Sequence, residues 1–395
     1  MTLRQGSIIS IIKSTFKTGS KKTEQRSSMS EEHKRRVHYS GNHPVKFEEK
    51  YKEHDPEKYS DTIEHVKEKG MTPAGMHIPI MVSEIMDVLK IQPGMVGYDA
   101  TLGYGGHSEE MLRLLDGKGH LYATDVDPEE SAKTVGRLEK LGLGRDIFTL
   151  KLMNFADCDE VATAANSAMT ANAAMKADGG NVVNHGAFDF VLADLGISSM
   201  QLDDPERGFS YKIDGPLDLR MNQQTGMTAA ERLAGMDEEE IAGMLNDNAD
   251  EPYAGEIASA VIKAEKQGKK IETTRDLHVI VEKALNFLPR VEQKEAEKKS
   301  SARVFQALRI DVNAEYESLY SFLEKLPGIL KPGGRAAILT FHSGEDRFVK
   351  NSFKELYADG TYSEISKDVT RASGDECTRN SRARSAKLRY AIKSK

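Results

Sequence analysis

From Ile80 onward the chain alternates short apolar runs with amphipathic stretches of helical period. Ile80 to Leu89 reads as an amphipathic helix ahead of a strand that carries Val96 and Tyr98 and ends at Asp99. Ser108 is a plausible N-cap for the next helix, whose apolar face is Met111, Leu112, Leu114 and Leu115. His120 to Asp125 and Ile147 to Met153 read as the second and third strands. Phe188 to Asp194 is a buried strand with an acid at its carboxyl end. Residues 161–187 are rich in Ala, Asn and Gly and predict a helix followed by a loop insertion. Strands and helices in this alternation predict a parallel, doubly wound sheet, an α/β fold.

The alternation then stops. Residues 226–300 carry helical signals only: Thr228 to Leu233, Asp237 to Leu245, Ala254 to Glu265, and Thr274 to Leu288, where Pro289 ends the last. They predict an all-helical subdomain inserted between strands. Leu330 to Gly334 reads as a sharp turn, Arg335 to Phe341 resumes the sheet, and the basic run Arg379 to Arg389 enters a last strand. The expected organisation is therefore residues 77–225 and 301–395 as two parts of one core, with 226–300 inserted.

Residues 1–30 are polar and basic, with no acid before Glu24. They are either an organellar transit peptide or an over-extended start with translation beginning at Met29. The expected location is the cytoplasm, or an organelle if residues 1–28 are such a peptide. Residues 31–76 form a charged N-terminal extension with interleaved aromatics, and Asp55-Pro56 is a good helix start. Phe47 and Tyr51 share a helix face. This extension either docks on the core by that face or serves as a nucleic-acid-binding arm. Thr72 to Gly75 reads as the hinge into the core.

Composition narrows the classes. With 395 residues, 38% of them hydrophobic, and no apolar run of transmembrane length, no membrane association is expected. Cys158 and Cys377 have no partner at metal-ligand spacing, which fits a reducing compartment and argues against structural zinc. The net charge of −7 places any nucleic-acid contact on local basic patches.

The chemistry concentrates between Val96 and Ser108, V-G-Y-D-A-T-L-G-Y-G-G-H-S. Gly103, Gly105 and Gly106 sit between strand and helix, where bare backbone N–H groups meet a ligand. Asp125 ends the adjacent strand about 20 residues later, the place from which a carboxylate accepts ribose hydroxyls. Ser108 stands where a dinucleotide loop has its third glycine. Asp99 before the loop suits a ligand with a free ammonium group, which points to methyl transfer from S-adenosylmethionine.

Seven ordered segments resemble one family, the ribosomal small-subunit methyltransferase H enzymes (RsmH, also called MraW). They are His77-Ile-Pro-Ile, Thr101 to Ser108, Asp194 to Ser210, Gly215 to Met221, Arg303 to Asn313, Phe341 to Arg347 and Ser381 to Arg389. The resemblance covers residue 77 to the C-terminus. It implies a Rossmann-like class I S-adenosylmethionine-dependent methyltransferase that modifies N4 of a cytidine in the decoding centre of 16S rRNA, with the small-subunit rRNA as partner. By the same resemblance, Gly105, Gly106 and His107 hold the methionine part of the cofactor, Asp125 the ribose, and Phe155 lies beside the adenine. Asp194 and Gln201 complete the pocket near the transferable methyl. Neither resemblance nor composition decides between monomer and homodimer.

Three departures stand out. Gly344 replaces the leucine of Phe-His-Ser-Leu-Glu-Asp-Arg and is expected to loosen that loop. The Ala-rich insertion before Phe188 is atypical, and residues 38–75 match an extension carried by a subset of the family. A cytosine amine is a weak nucleophile, so its methylation needs positioning and a proton acceptor. Asp194 is the candidate acceptor, and the chemistry needs no metal. Arg303, Arg309, Arg347, Arg382, Arg384 and Arg389 are the expected phosphate contacts, or else ion pairs within the protein. The competing readings are a methyltransferase for another RNA or a DNA base, and a non-catalytic assembly factor of the same fold.

Overall fold

The computed structural model describes residues 79–144, 146–174 and 186–395. The expectations for residues 1–76, for His77 and Ile78, and for residues 175–185 of the Ala-rich stretch lie outside the described residues.

The first half alternates as its apolar pattern dictates: α1 (Val82–Leu89), β1 (Val96–Asp99), α2 (Gly106–Leu115), β2 (His120–Asp125), α3 (Pro128–Lys140), β3 (Phe148–Leu152), α4 (Cys158–Ala174) and β4 (Phe188–Asp194). A helical stretch follows, comprising α5 (Ser199–Asp203), α6 (Ala229–Ala234), α7 (Glu238–Ala249), α8 (Ala254–Lys266), α9 (Thr274–Ala284), α10 (Arg290–Val312) and α11 (Glu315–Ile329). The sheet then resumes with β5 (Leu330–Thr340), α12 (Ser343–Ala358), β6 (Tyr362–Ile365), α13 (Gly374–Arg379) and β7 (Lys387–Lys393).

The strands lie in the order β3-β2-β1-β4-β5-β7-β6. The first five are parallel, and β7 runs antiparallel to both β5 and β6. Side chains two apart on a strand share a face, so the central strands feed two cores. Val191, Ala193, Ala336 and Ile338 enter one with Phe188 and Phe322, while Phe190, Leu192, Ala337 and Leu339 enter the other with Met111 and Leu112. Such strands read as nearly continuous apolar runs because both faces are covered. Reversal of direction from β1 outward puts the carboxyl ends of β1 and β4 side by side, where open sheets of this type hold ligands.

A third core belongs to the helices. It gathers Phe209, Leu217 and Leu219 with Leu233, Ile257, Leu277, Val304 and Leu308. Helix α10 runs unbroken through residue 300, where a boundary was expected, because its second half presents Val304, Phe305 and Leu308 to this core. Two local expectations are also corrected. Ser108 does not cap α2; Gly105 does, at φ 71°, and Ser108 lies in the first turn. Residues 330–334 are part of β5, with a register shift opposite Phe188 and Phe190 in place of a free turn. Among the described residues, no helix is long and apolar enough to cross a membrane.

Candidate active site

A cavity of about 520 Å³ opens at the carboxyl ends of the parallel strands. Its lining brings together Gly105, Gly106, His107, Asp125, Phe155, Asp194 and Gln201, from five separate stretches of chain. Each is placed by local chemistry.

The glycine loop turns because Gly105 takes a left-handed conformation, and a Cβ there would collide with the Thr134 methyl. Asp125 braces the loop from β2: Oδ2 accepts from the Gly103 N–H at 2.7 Å and Oδ1 from the Asp127 N–H at 2.9 Å. Burial raises its pKa above the ordinary carboxylate range. Each oxygen keeps a further lone pair for a ligand.

Asp127 caps α3 through the Glu129 and Glu130 N–H groups, a role its Asp-Pro sequence advertises. Its Oδ2 also accepts from Gln201 Nε2 at 2.9 Å and pairs with the buried Arg207. Gln201 Oε1 closes a capping box at the start of α5 by accepting from the Ser198 N–H. Gln201 therefore ties the segment after β4 to the segment after β2. Phe155 follows β3 in a short 3-10 turn capped by Asn154, edge-on to Phe322 with ring centres 5.5 Å apart.

The end of β4 holds the most unusual polar arrangement. Thr101 Oγ1 accepts from the Asp194 N–H at 2.7 Å, which fixes the strand end against the glycine loop. The Asp194 side chain has one oxygen, Oδ2, 3.4 Å from His107 Nδ1; the other, Oδ1, is buried without a hydrogen-bond partner. Burial, reinforced by Glu345, pushes the Asp194 pKa up to about 7. His107 is 6% exposed, its Nε2 lies 2.9 Å from the Ile80 carbonyl, and burial lowers its pKa. The Ile80 contact explains part of the His-Ile-Pro-Ile motif: Glu376 anchors Met81 N–H, and Ile80 anchors the histidine.

Asp99 is not where the expectation put it. It is 1% exposed and absent from the cavity wall; one oxygen accepts from Thr101 N–H and the other from the Ser108 hydroxyl at 2.6 Å. Burial pushes its pKa up to about 6. It holds the loop's shape and has no face toward a ligand.

The arginines divide sharply. Arg309 lies in the cavity wall with Nε 2.7 Å and Nη2 2.9 Å from the Glu315 carboxylate. Arg389, on β7, is buried and pairs with Asp346 at 2.6 Å. Both guanidinium groups are committed inward, which corrects their assignment as phosphate contacts. Arg303 lies 3.7 Å from Glu251, Arg347 pairs with Asp250 among exposed side chains, and Arg382 reaches Asp203 at 3.3 Å from the cavity rim. Arg384 is exposed, and none of the described ion pairs includes it. Opposite-charge neighbours in the fold, invisible in a linear scan, make the difference.

Three residues missed in the sequence line the same cavity. Glu130 is buried with Oε2 unpartnered, and Arg220 pairs with Asp218 at 2.7 Å. His342 caps α12 and lies 3.0 Å from Glu345. Among the described residues, Glu315, His342 and Glu345 place carboxylate and imidazole atoms within 4.8 Å of one another. Arg309 already fills the cationic place beside Glu315, so this is a closed charge network. Burial opposes charge on Glu345, but His342 and Arg309 outweigh it and hold its pKa below the usual value.

The donor set suits a cationic ligand carrying a ribose and an adenine. It offers bare backbone at the loop, carboxylates at Asp125 and Asp194, and an aromatic ring at Phe155. Comparison with known proteins agrees. The model of the MraW methylase family matches residues 74–394. The ribosomal RNA small subunit methyltransferase H 1 of Agathobacter rectalis is 58% identical over 367 residues, covering 92% of this chain and 99% of that one. The protein of the same description from Lachnoclostridium phytofermentans is 58% identical over 361 residues, 91% of this chain and 93% of that one. The ribosomal RNA small subunit methyltransferase H of Phocaeicola vulgatus is 37% identical, covering 80% and 97% respectively.

Proposed function

The chain belongs to the MraW methylase family, and from that premise we propose that it methylates N4 of a cytidine in the decoding centre of 16S rRNA. Its cofactor is S-adenosylmethionine, which supplies an electrophilic methyl group on a sulfonium. The names of its relatives support small-subunit rRNA as the substrate.

In this reading Gly105, Gly106 and His107 hold the methionine part of the cofactor, Asp125 the ribose hydroxyls and Phe155 the adenine. Gln201 acts by keeping the Asp194 segment against α3, since both ends of its amide are engaged. Asp194 takes a proton from the exocyclic amine as the amine becomes the nucleophile. The observation that carries the reading is the Asp194 carboxyl group: at the carboxyl end of β4, in the wall of a ligand cavity, its side chain 26% exposed.

The substrate base must leave its stack to reach such a depth. Arg384, with Arg382 and Arg347 nearer their carboxylate partners, supports contact with the RNA backbone at the surface. The helices from α6 to α10 are proposed as the wall against which the rRNA is oriented.

Mass spectrometry of rRNA nucleosides from cells with and without the gene tests this. N4-methylcytidine should disappear without the gene and return with the wild-type protein. A tritiated-methyl assay on small subunits, naked rRNA and DNA separates the competing substrates. Label on DNA or another base overturns the cytidine assignment, and no label on any of them indicates an assembly factor.

A further inference from the structure

Leu219 has a backbone conformation that a leucine does not favour. At φ 61° it is left-handed, where Cβ crowds the following carbonyl oxygen. Among the described residues five other non-glycines have a positive φ, and each of those stands at a helix end. Leu219 stands at none. Its side chain is buried in the helical core with Leu217, so the turn cannot relax without pulling the leucine out.

Two residues from distant stretches impose this turn. Asn313, just past α10, accepts from the Met221 N–H through Oδ1 and donates from Nδ2 to the Leu219 carbonyl, both at 2.8 Å. Its other amide hydrogen goes to the Arg309 carbonyl, also at 2.8 Å. Arg207, 4% exposed, donates from Nη1 to the Met221 carbonyl at 2.9 Å. The Arg207 carbonyl accepts from the Leu219 N–H at 3.1 Å. Every polar backbone group of Leu219 and Met221 therefore ends on one of these two residues. Arg207 Nη2 also binds Asp127, whose own N–H holds Asp125 Oδ1.

The turn brings Arg220, Met221 and Asn222 to the cavity wall. Arg207 is absent from that wall, and Asn313 has spent both amide hydrogens on backbone carbonyls, so neither is built to grip a ligand. The residues assigned to the cofactor come from the glycine loop, the ends of β2, β3 and β4, and α5. The turn belongs to the wall that they leave for the base. We propose that Asn313 and Arg207 are positioning residues, which hold the strained turn at Leu219 so that Met221 and Asn222 fix where the target base lies. Arg207 keys this wall to the end of β2, where the ribose of the cofactor is held. The proposal rests on the amine-methylation reading. There the amine must meet the methyl in line with the bond to sulfur, and a misplacement of about 1 Å costs on the order of a hundredfold in rate. One guanidinium shared by both sides of the cavity limits that error.

Methyl NMR of the full chain with labelled methionines reads the turn without turnover. The Met221 signal, assigned by its loss in Met221→Leu, should shift or split in Asn313→Ala. An unmoved signal overturns the proposal, whatever the substrate. In the kinetic arm, single-turnover methylation of small-subunit rRNA by Asn313→Ala should be about tenfold slower or more at saturating rRNA, with calorimetric cofactor affinity within about twofold of wild type. A normal rate in the folded variant makes Asn313 merely structural and overturns its positioning role. A rate loss matched by lost cofactor affinity puts the turn on the cofactor's side and overturns the assignment to the base. Arg207→Lys serves as a second variant if Asn313→Ala does not fold. It keeps a charge beside Asp127, but an ammonium lacks the fork that reaches both partners. It should move the Met221 signal and slow the same step; wild-type signal and rate overturn the proposal. If wild-type protein methylates no rRNA amine, the substrate reading fails while the Met221 signal still decides whether Asn313 holds the turn.

Discussion

The Tyr316 ring fills the space that a side chain at Gly344 would need: a Cβ there would collide with the Tyr316 hydroxyl. That hydroxyl donates to the Asn248 carbonyl at 3.0 Å, and the ring lies 5.0 Å from Phe348 and 6.0 Å from His342. Gly344 therefore does not loosen a loop. It is the second residue of α12, and its bareness lets Tyr316 on α11 pack beside His342 and Glu345 in the cavity wall.

Gly344→Leu should consequently destabilise the protein by about 1–3 kcal/mol, the usual scale for overpacking. Adding Tyr316→Ala should recover much of that loss, because the leucine then has room. Urea unfolding of the two single variants and the double variant measures the coupling. Additive losses would mean that the two residues do not share the space.

Asp125 has two duties, bracing the glycine loop and facing the cavity. Asp125→Ala should weaken S-adenosylmethionine binding at least tenfold, since hydrogen bonds to charged groups contribute about 1.5–3 kcal/mol each. Asp125→Asn should fall in between. Calorimetry showing wild-type affinity in the alanine variant would remove Asp125 from the site.

Cofactor binding should release protons. Asp99, Asp125 and Asp194 all have folded-state pKa values raised by burial, two of them to about 6 and about 7. The free protein thus holds protons that an unfolded chain gives up near pH 4, and the stability from this is lost as pH rises through 6 to 7. A sulfonium and an ammonium nearby favour the carboxylates and expel those protons, so affinity should rise with pH over the same window. Calorimetry in buffers of different ionisation heat, at roughly pH 6.5, reads the release. Identical heats in all buffers would contradict it.

The arginines should separate by experiment as they do in the fold. Arg384→Gln should weaken rRNA binding and flatten its salt dependence by about one phosphate contact, with cofactor affinity unchanged. Arg389→Gln should act mainly on stability, because it removes the hydrogen bonds to Asp346 of α12 and leaves that carboxylate to Lys387 at 3.8 Å; hydrogen bonds to charged groups contribute about 1.5–3 kcal/mol each. A salt slope altered by Arg389→Gln in a stably folded protein would return it to the RNA-binding surface.

What the linear sequence determines here is everything set by neighbours a few positions apart. Strand period, glycine turn and helix period locate β1, α2 and β2, and the spacing of Asp125 from the loop follows from one βαβ unit. The acid at the end of β4 is legible for the same reason. The relatedness of seven short segments extends this to Phe155 and Gln201. What only the tertiary structure decides is which way a charged side chain points. Asp99 reads like a ligand contact until Ser108 and Thr101 N–H are seen to occupy its oxygens. Arg309 and Arg389 read like phosphate contacts until Glu315 and Asp346 close on them. The pairing of His107 with Asp194, 87 positions apart by subtraction of their numbers, is of the same kind. A buried charge takes its meaning from the partner that packing brings to it, and packing is a property of the whole chain.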